Sequence, residues 1–167
     1  MTGINSDRRK FLAASGTALT IAVAGCSGGG DGGDGDDGGS DTRDDVPDAV
    51  DSYLNDNSAN GYDGTMVDET GSDSVTVEVG TGDNGFGFTP AAVVVDSGTT
   101  VTWEWTGEGG QHNVLAADAS PVGMDVESEL IAEAGHTAEH TFEGTDNYIY
   151  VCSVHSANGM HGAVVVE

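Results

Sequence analysis

Basic residues are nearly absent from this chain, which has 4 lysines and arginines against 29 acids in 167 residues. Six of the acids precede Asp44, so the remaining 23 fall in residues 44–167, a stretch without any lysine or arginine. The four basic residues are Arg8, Arg9, Lys10 and Arg43. Because proteins bind nucleic acids and bare anionic membranes through such cations, neither is expected as a partner of residues 44–167.

So much uncompensated negative charge would destabilise a compact domain in dilute buffer. At about 1 M salt the Debye length falls to about 3 Å, and the repulsion almost vanishes. The composition therefore favours a protein adapted to very high salt. Acidic chains with only 6% aromatic residues can also be disordered. The strand-like alternation that begins near residue 74 argues against disorder of the whole chain.

Cysteine is scarce as well, with Cys26 and Cys152 as the only two. The first ends an N-terminal run of small and apolar residues, and the second belongs to a C-terminal cluster that also contains histidines and a methionine. These contexts predict two separate roles, and no disulfide is expected.

Long apolar runs are missing, and the N-terminal run of roughly a dozen apolar residues is too short for a comfortable membrane span. It follows the pair Arg8-Arg9 and ends at Cys26. This order predicts an export signal of the twin-arginine type over residues 1–25. "VAGC" (23–26) resembles a lipobox, in which Cys26 would carry the lipid. The alternative is a soluble secreted protein that is cleaved nearby.

A flexible acidic linker of Gly, Ser and Asp is predicted for residues 26–43, beginning at the lipid anchor Cys26. Its low-complexity part, residues 27–42, contains no apolar side chain to bury. Sixteen such residues have a root-mean-square span of about 20–24 Å. We therefore expect a domain anchored to the outer face of the cell membrane that can turn toward different partners.

The folded domain is predicted over residues 44–167. Val46, Val50 and Leu54 are spaced by four residues, which indicates a short helix. The alternating, β-rich runs that follow predict strands at 74–80, 91–96, 99–107, 140–143, 147–153 and 162–167. Glycine-rich and aspartate-rich turns separate them. An antiparallel sandwich or barrel accounts for this pattern.

Alternation also predicts which side chains face the core. In "VTWEW" the two tryptophans Trp103 and Trp105 share one face with Val101, and Tyr148 and Tyr150 share the face of Cys152. Electron-relay roles for the tryptophans are conceivable, but buried core is the expectation.

Four potential metal ligands occur in two short segments. Cys152-x2-His155-x4-Met160 lies where one strand ends and the next begins, and His112 follows the glycines of "GEGGQHNV". Two imidazoles, one thiolate and a weak axial thioether suit copper that cycles between Cu(I) and Cu(II). Zinc sites more often show two paired Cys/His elements or an open position.

Each of these residues has a simpler alternative. Cys152 could be a buried apolar side chain, or a nucleophile with His155 as its base, although no orienting Asn or Asp is evident. Met66 or Met124 could replace Met160 as the axial ligand. Three further histidines are expected to lie outside the site: His136 and His140 as structural residues, and His161 pointing outward.

These residues resemble a known family. Cys152, Ser153, His155 and Met160, with "HNV" upstream, are similar to the plastocyanin-type cupredoxins, and the runs 88–114 and 150–167 resemble the halocyanins, small blue copper proteins of halophilic archaea. The resemblance covers about residues 48–167. It implies an all-β, antiparallel Greek-key β-sandwich with one type 1 copper ion, Cu(I)/Cu(II), bound by His112, Cys152, His155 and Met160.

The resemblance also implies an electron carrier rather than an enzyme. We expect a monomer at the membrane that exchanges electrons with membrane or peripheral redox proteins. Two departures matter: Val154 stands where the family often has proline, and Val151 stands where plant plastocyanins have a surface tyrosine. The expected electron port is therefore the edge of His155, with Val154, Ala157 and the glycines before His112 around it.

Two other classes of function stay open at this stage. A copper store or chaperone would use similar soft ligands but needs exchangeable copper. A metal-free extracellular β-sandwich would share the fold and the acidity without any need for the four ligands. A copper oxidase or nitrite reductase would need a second domain and more histidines than this length provides.

Overall fold

Two β-sheets and one helix make up the part of the chain that the structure, a computed structural model, describes: residues 41–124 and 126–167. The predictions for Arg8, Arg9 and Cys26 concern residues outside this part. No helix within it is long and apolar enough to cross a membrane.

The described part of the structure contains one α-helix and eleven strands, and the chain passes repeatedly from one sheet to the other. The helix is α1 (Asp48–Asp56), and the eleven strands are β1 (Thr42–Arg43), β2 (Met66–Asp68), β3 (Ser74–Thr81), β4 (Gly87–Thr89), β5 (Ala92–Val95), β6 (Thr100–Trp105), β7 (His112–Ala116), β8 (Glu127–Ile131), β9 (Thr137–Thr141), β10 (Asn147–Val151) and β11 (His161–Val166). A seven-stranded sheet has the order β1-β2-β5-β11-β10-β7-β8, and a four-stranded sheet has the order β4-β3-β6-β9.

The predicted all-β sandwich is confirmed, with one correction to its strand directions. Six of the pairings are antiparallel, but β2 with β5, β5 with β11, and β3 with β6 run parallel. Parallel neighbours arise because the chain crosses to the other sheet between them, as it does between β3 and β6. Such crossings are not visible in local sequence patterns.

The core between the sheets contains the side chains that alternation predicted. Trp103 and Trp105 are buried while Glu104 between them is exposed, and Tyr148, Tyr150 and Cys152 are all buried. Trp103 packs edge-on against Tyr150 with ring centroids 5.5 Å apart. Each aromatic side chain of this size buries about 150–250 Å².

Helix α1 covers the outer face of the seven-stranded sheet. Val50 and Leu54, four residues apart, are fully buried against a second apolar cluster. The sheet side of this cluster comes from β5, β10 and β11: Ala92, Val94, Ile149, Ala163 and Val165. Burying each of the two helix side chains is worth about 1.5–3 kcal/mol. The helix predicted from the four-residue spacing is confirmed.

Several boundaries differ from those predicted. Strand β9 is Thr137–Thr141 rather than 140–143, and β1, β2, β4, β7 and β8 were not predicted at all. Strand β1 lies within the predicted linker, where Thr42 and Arg43 pair with Val67 and Met66. Ordered backbone pairing therefore begins before residue 44.

Candidate metal centre

Three of the predicted ligands converge at one end of the sandwich. One ligand atom from each of His112, Cys152 and His155 lies within 4.8 Å of those of the other two. The sulfur of Cys152 is 3.9 Å from Nδ1 of His112 and 3.6 Å from Nδ1 of His155, and the two Nδ1 atoms are 3.1 Å apart. The nearest donors thus face one common point.

Strand pairing explains how distant residues meet there. His112 is the first residue of β7, and Cys152 directly follows β10. These strands pair with Val151 opposite Leu115. Met160 directly precedes β11, which also pairs with β10. Three adjacent strands of one sheet therefore begin or end at the site.

The segment Cys152–Met160, called the ligand loop below, closes on itself through its backbone. Cys152 N–H donates to Met160 O at 3.1 Å, and Met160 N–H donates to His155 O at 3.2 Å. A short 3₁₀ turn at Ser156–Asn158 and the left-handed Gly159 complete the loop. Met160 is fully buried. The two backbone hydrogen bonds hold it beside Cys152 and His155.

The orientation of His112 is fixed by its other ring nitrogen. Nε2 donates to Glu108 O at 2.8 Å, which leaves the lone pair of Nδ1 free to bind a metal. Gly80 permits this arrangement, since a Cβ there would lie 2.7 Å from Glu108 O and 3.2 Å from the His112 ring. Trp105 Nε1 donates to His112 O at 3.2 Å, so the backbone of this residue is held as well.

His155 differs from the other three because part of its side chain reaches the surface. Its ring stacks on Phe86 with centroids 4.3 Å apart and planes 24° apart. Burial, and the neighbouring His112, hold the pKa of His155 below its usual range. The neutral imidazole, which is the form that binds metals, is therefore favoured. Beside it, Val154 is 50% exposed.

Asn113 ties the two ligand-bearing segments together. Ser153 N–H donates to Asn113 Oδ1 at 2.9 Å, and Asn113 Nδ2 donates to Ser153 Oγ at 3.0 Å. Each of these residues directly follows a predicted ligand. Asn113 is only 3% exposed, whereas Ser153 lies at the surface, so the link is partly buried.

The geometry and chemistry of the cluster fit a first-row metal ion. Imidazole nitrogens bind such an ion at about 2.0–2.1 Å and thiolates at about 2.3 Å, as zinc sites show. Ligand atoms around one ion are then about 3–4 Å apart, in agreement with the distances found here. A thiolate and two imidazoles with a methionine alongside are the ligand set of blue copper sites.

Among the described residues, Met66, His136 and His140 lie outside the ligand cluster. Met66 packs under α1, whereas Met124 packs in the core between the sheets, in the same apolar cluster as Cys152 and Met160. His136 lies 3.2 Å from Glu127 and packs edge-on against Trp105. His140 packs against Phe142.

The outward orientation expected of His161 is wrong. His161 is 3% exposed, and both of its ring nitrogens are hydrogen-bonded. Its partners, Tyr53 OH and Ser156 O, lie in α1 and in the ligand loop. Local alternation could not show this because the covering group comes from α1, about 100 residues earlier in the chain.

Comparisons with known proteins agree with this site. A family model described as "Copper binding proteins, plastocyanin/azurin family" matches residues 75–167. Halocyanin from Natronomonas pharaonis is 52% identical over 162 residues, which cover 96% of this chain and 97% of that protein. Chloroplastic plastocyanin B from Populus nigra is 33% identical over 101 residues, covering 56% of this chain and 60% of that protein.

Among solved structures, a purple cupredoxin from Nitrosopumilus maritimus is 28% identical with a TM-score of 0.46. The match covers 56% of this chain and 99% of the other.

Proposed function

This chain belongs to the plastocyanin/azurin family of copper-binding proteins, and on that basis we propose that His112, Cys152, His155 and Met160 hold its single copper ion. The observation that carries the proposal is the convergence of one thiolate and two imidazole nitrogens within 4.8 Å. Met160 joins them as the axial ligand because the ligand loop bonds its backbone to both Cys152 and His155.

The protein is a type 1 copper electron carrier, not an enzyme. Copper bound there supplies one-electron chemistry by cycling between Cu(I) and Cu(II). The protein's part is to hold the ligands in one arrangement for both states. Hydrogen bonds from His112 to Glu108 and between Asn113 and Ser153 do this, and burial of Cys152 excludes water from the sulfur.

Electrons enter and leave at the exposed edge of His155. Support for this comes from burial, since the other three proposed ligands are fully buried. Around that edge, Val154 and Ala157 are exposed, and Phe86 lies against the imidazole ring. In molar salt, screening removes long-range steering, so a redox partner must recognise this apolar surface at short range.

The partners are redox proteins, and we place their meeting point at the outer face of the cell membrane. Arg8 and Arg9 direct export, Cys26 carries the lipid, and the acidic linker between Cys26 and β1 connects it to the copper domain, which works as a monomer. The support is the sequence of this region and the 96% coverage of the chain by its match to halocyanin.

Optical titration tests the ligand set. The full chain in multi-molar salt receives one equivalent of Cu(II), and its visible spectrum is recorded before and after a mild reductant. An intense blue band that bleaches reversibly is expected, and Cys152→Ser should abolish it. No band from a folded protein would contradict the proposal and favour a metal-free sandwich.

The axial assignment has a matched control. Met160→Leu should retain a blue site with a changed reduction potential, because the axial ligand tunes it. Met66→Leu alters a methionine that is equally buried but lies under α1. An unchanged potential in the first variant, or an equal change in both, would contradict Met160 as ligand.

Anchoring is tested in cells. Replacing Cys26 with serine should release the protein from the membrane fraction into the medium. Replacing Arg8 and Arg9 with lysine should leave it inside the cell if export uses the twin-arginine route. Retention of the serine variant on membranes would rule out Cys26 as the anchor.

A further inference from the structure

The ligand loop is in contact with a part of the chain that the copper-family match does not include. That match begins at residue 75. The contacting segment is Tyr53–Asn60, called the brace below, which spans the C-terminal half of α1 and the turn after it. Its position is fixed independently of the loop because Leu54 and Ala59 are buried in the apolar cluster under α1.

Asn60 forms the central contact of the brace. Its backbone N–H donates to Gly159 O at 2.9 Å. Its side-chain amide donates to Asn158 O and to Phe86 O, both at 2.7 Å. One amide hydrogen therefore bonds to the ligand loop, and the other bonds to Phe86, the residue before β4 whose ring stacks on His155.

The fit between brace and ligand loop leaves no space. A Cβ at Gly159 would lie 2.5 Å from Ser58 O and 3.2 Å from the Asn60 amide nitrogen. Gly159 also has φ +83°, in the left-handed region that favours glycine. Ser58 itself adopts φ 51°. Both segments, the brace and the ligand loop, thus adopt left-handed backbone where they meet.

Tyr53 makes a second contact with the end of the loop. Its hydroxyl lies 2.8 Å from Nδ1 of His161, and Nε2 of His161 lies 2.9 Å from Ser156 O. Because a carbonyl only accepts, Nε2 carries the proton, so the tyrosine hydroxyl must donate to Nδ1. One continuous chain of hydrogen bonds runs from α1 through His161, the neighbour of Met160, into the 3₁₀ turn.

We propose that Tyr53 and Asn60 are positioning residues for His155 and Met160, so that α1 and its following turn set the geometry of the copper site from outside the sandwich. The proposal rests on the ligand set proposed above. Asn60 acts on His155 through Phe86 O and the stacked ring, and on Met160 through the carbonyls of Asn158 and Gly159. Tyr53 acts on Met160 through His161.

Two pairs of variants separate this role from general stability. Asn60→Ala is matched by Asn55→Ala, whose amide bonds to Asp51 and not to Tyr53 or the ligand loop. Tyr53→Phe is matched by Tyr62→Phe, whose hydroxyl bonds to Asp51 and not to the ligand loop. The members of each pair are close in sequence and lose the same chemical group.

The first measurement uses metal-free protein. Hydrogen exchange of the His155 and Met160 amides should become about tenfold faster in Asn60→Ala, because two side-chain hydrogen bonds to these segments are lost. Tyr53→Phe should speed exchange at Met160 by about threefold. The two control variants should match the unchanged chain at these amides.

The second measurement uses copper-loaded protein. Asn60→Ala and Tyr53→Phe should each change the ratio of the visible bands and the reduction potential, while both controls leave them unchanged. Asn60→Asp, which keeps the size but loses the donor, should behave as Asn60→Ala does.

The outcomes divide cleanly. If exchange rises but the spectrum and potential stay unchanged, the brace is only structural and the positioning role is wrong. If the variants equal their controls in both measurements, the contact itself is unimportant and the proposal is overturned. If the wild-type protein forms no blue site, the ligand set is wrong and the positioning role fails with it. The wild-type spectrum alone distinguishes this result from the other two.

Discussion

The two ends of the sandwich differ in how their turns are held together. The ligand end contains residues 153–161, which include no acid although residues 44–167 carry 23. The distal end, at the far end of β11, contains an acid in nearly every turn: Asp73, Asp96, Glu143, Asp146 and Glu167. Six residues of β11 separate the ends by about 20 Å.

Contacts at the ligand end are short and specific, and several of them involve buried groups. Gly159 and Gly80 each lie too close to neighbouring backbone to accept a side chain, and His112, Asn113 and His161 are buried polar residues with partners. Contacts between these buried groups depend little on salt, because buried groups are screened much less than exposed ones.

Contacts at the distal end use charge at the surface. Arg43, the only lysine or arginine in residues 41–167, bonds to Asp45 at 2.8 Å and to Glu167 at 3.0 Å. Its guanidinium holds the pKa of the Asp45 carboxyl below the usual range. Exposed pairs of this kind contribute little and are weakened by salt. The ligand end therefore depends less on exposed charge than the distal end does.

The largest difference in stability between the two ends is expected from glycine substitutions. Gly159→Ala should destabilise the fold by about 3 kcal/mol, because it adds a clash with Ser58 O to the strain of its left-handed backbone. At the distal end, Gly98 has φ +99°, and a Cβ added there would have no atom within 4 Å. Backbone strain alone should therefore make Gly98→Ala cost about 1–2 kcal/mol. Chemical unfolding in high salt measures both; equal losses would contradict the difference between the ends.

The second-largest effect is expected when the hydrogen bonds between Asn113 and Ser153 are removed. Asn113→Ala leaves Ser153 without its partners and should cost about 2 kcal/mol of unfolding free energy. It should also hasten copper loss, which is followed by decay of the blue band in chelator. Asn55→Ala, which removes exposed hydrogen bonds to Asp51, is the control and should change neither. A copper loss rate equal to that of the control would contradict the role of this link.

A charge placed on the apolar surface should slow electron transfer. Val154→Asp introduces a charge beside His155 that loses its water when a partner docks, and the second-order rate with a redox partner in molar salt should fall about tenfold. Glu143→Gln, at the distal end, should leave that rate unchanged. A large effect of the distal variant would show that long-range charge, rather than the surface at His155, controls association.

The smallest effect is expected from Arg43→Gln. In multi-molar salt its melting temperature and reduction potential should match those of the unchanged chain. A lower melting temperature should appear only when the salt is reduced, because the lost ion pairs are exposed to solvent. A changed blue spectrum would reveal a coupling between the ends that the structure does not contain.

Sequence patterns predicted the elements whose side chains repeat locally. The helix followed from Val50 and Leu54, and the buried face of β6 followed from Trp103 and Trp105. Strand β8 could not be predicted because "ESELI" has no alternation and its residues are exposed or half-buried. The parallel pairings escaped prediction because they depend on crossings between sheets.

The convergence of the site was predicted better than its surroundings. His112, Cys152 and His155 carry a chemistry that few other arrangements explain, so spacing and residue type sufficed. Phe86, Asn60 and Tyr53 are ordinary loop and helix residues. Their proximity to the ligand loop depends on how α1 and the turn before β4 fold over the sheet, which one sequence does not reveal.

The central place of β11 has a consequence for biosynthesis. This last strand of the sandwich lies between β5 and β10, and Ala163 pairs with Ala92 far upstream. A ribosome must therefore release residues 161–166 before the larger sheet has its middle strand. Such long-range pairing cannot form until β11 has been made. The ligand cluster therefore forms only after β11 has joined the sheet, and a nascent chain that exposes Cys152 before then has no formed site in which to hold the metal.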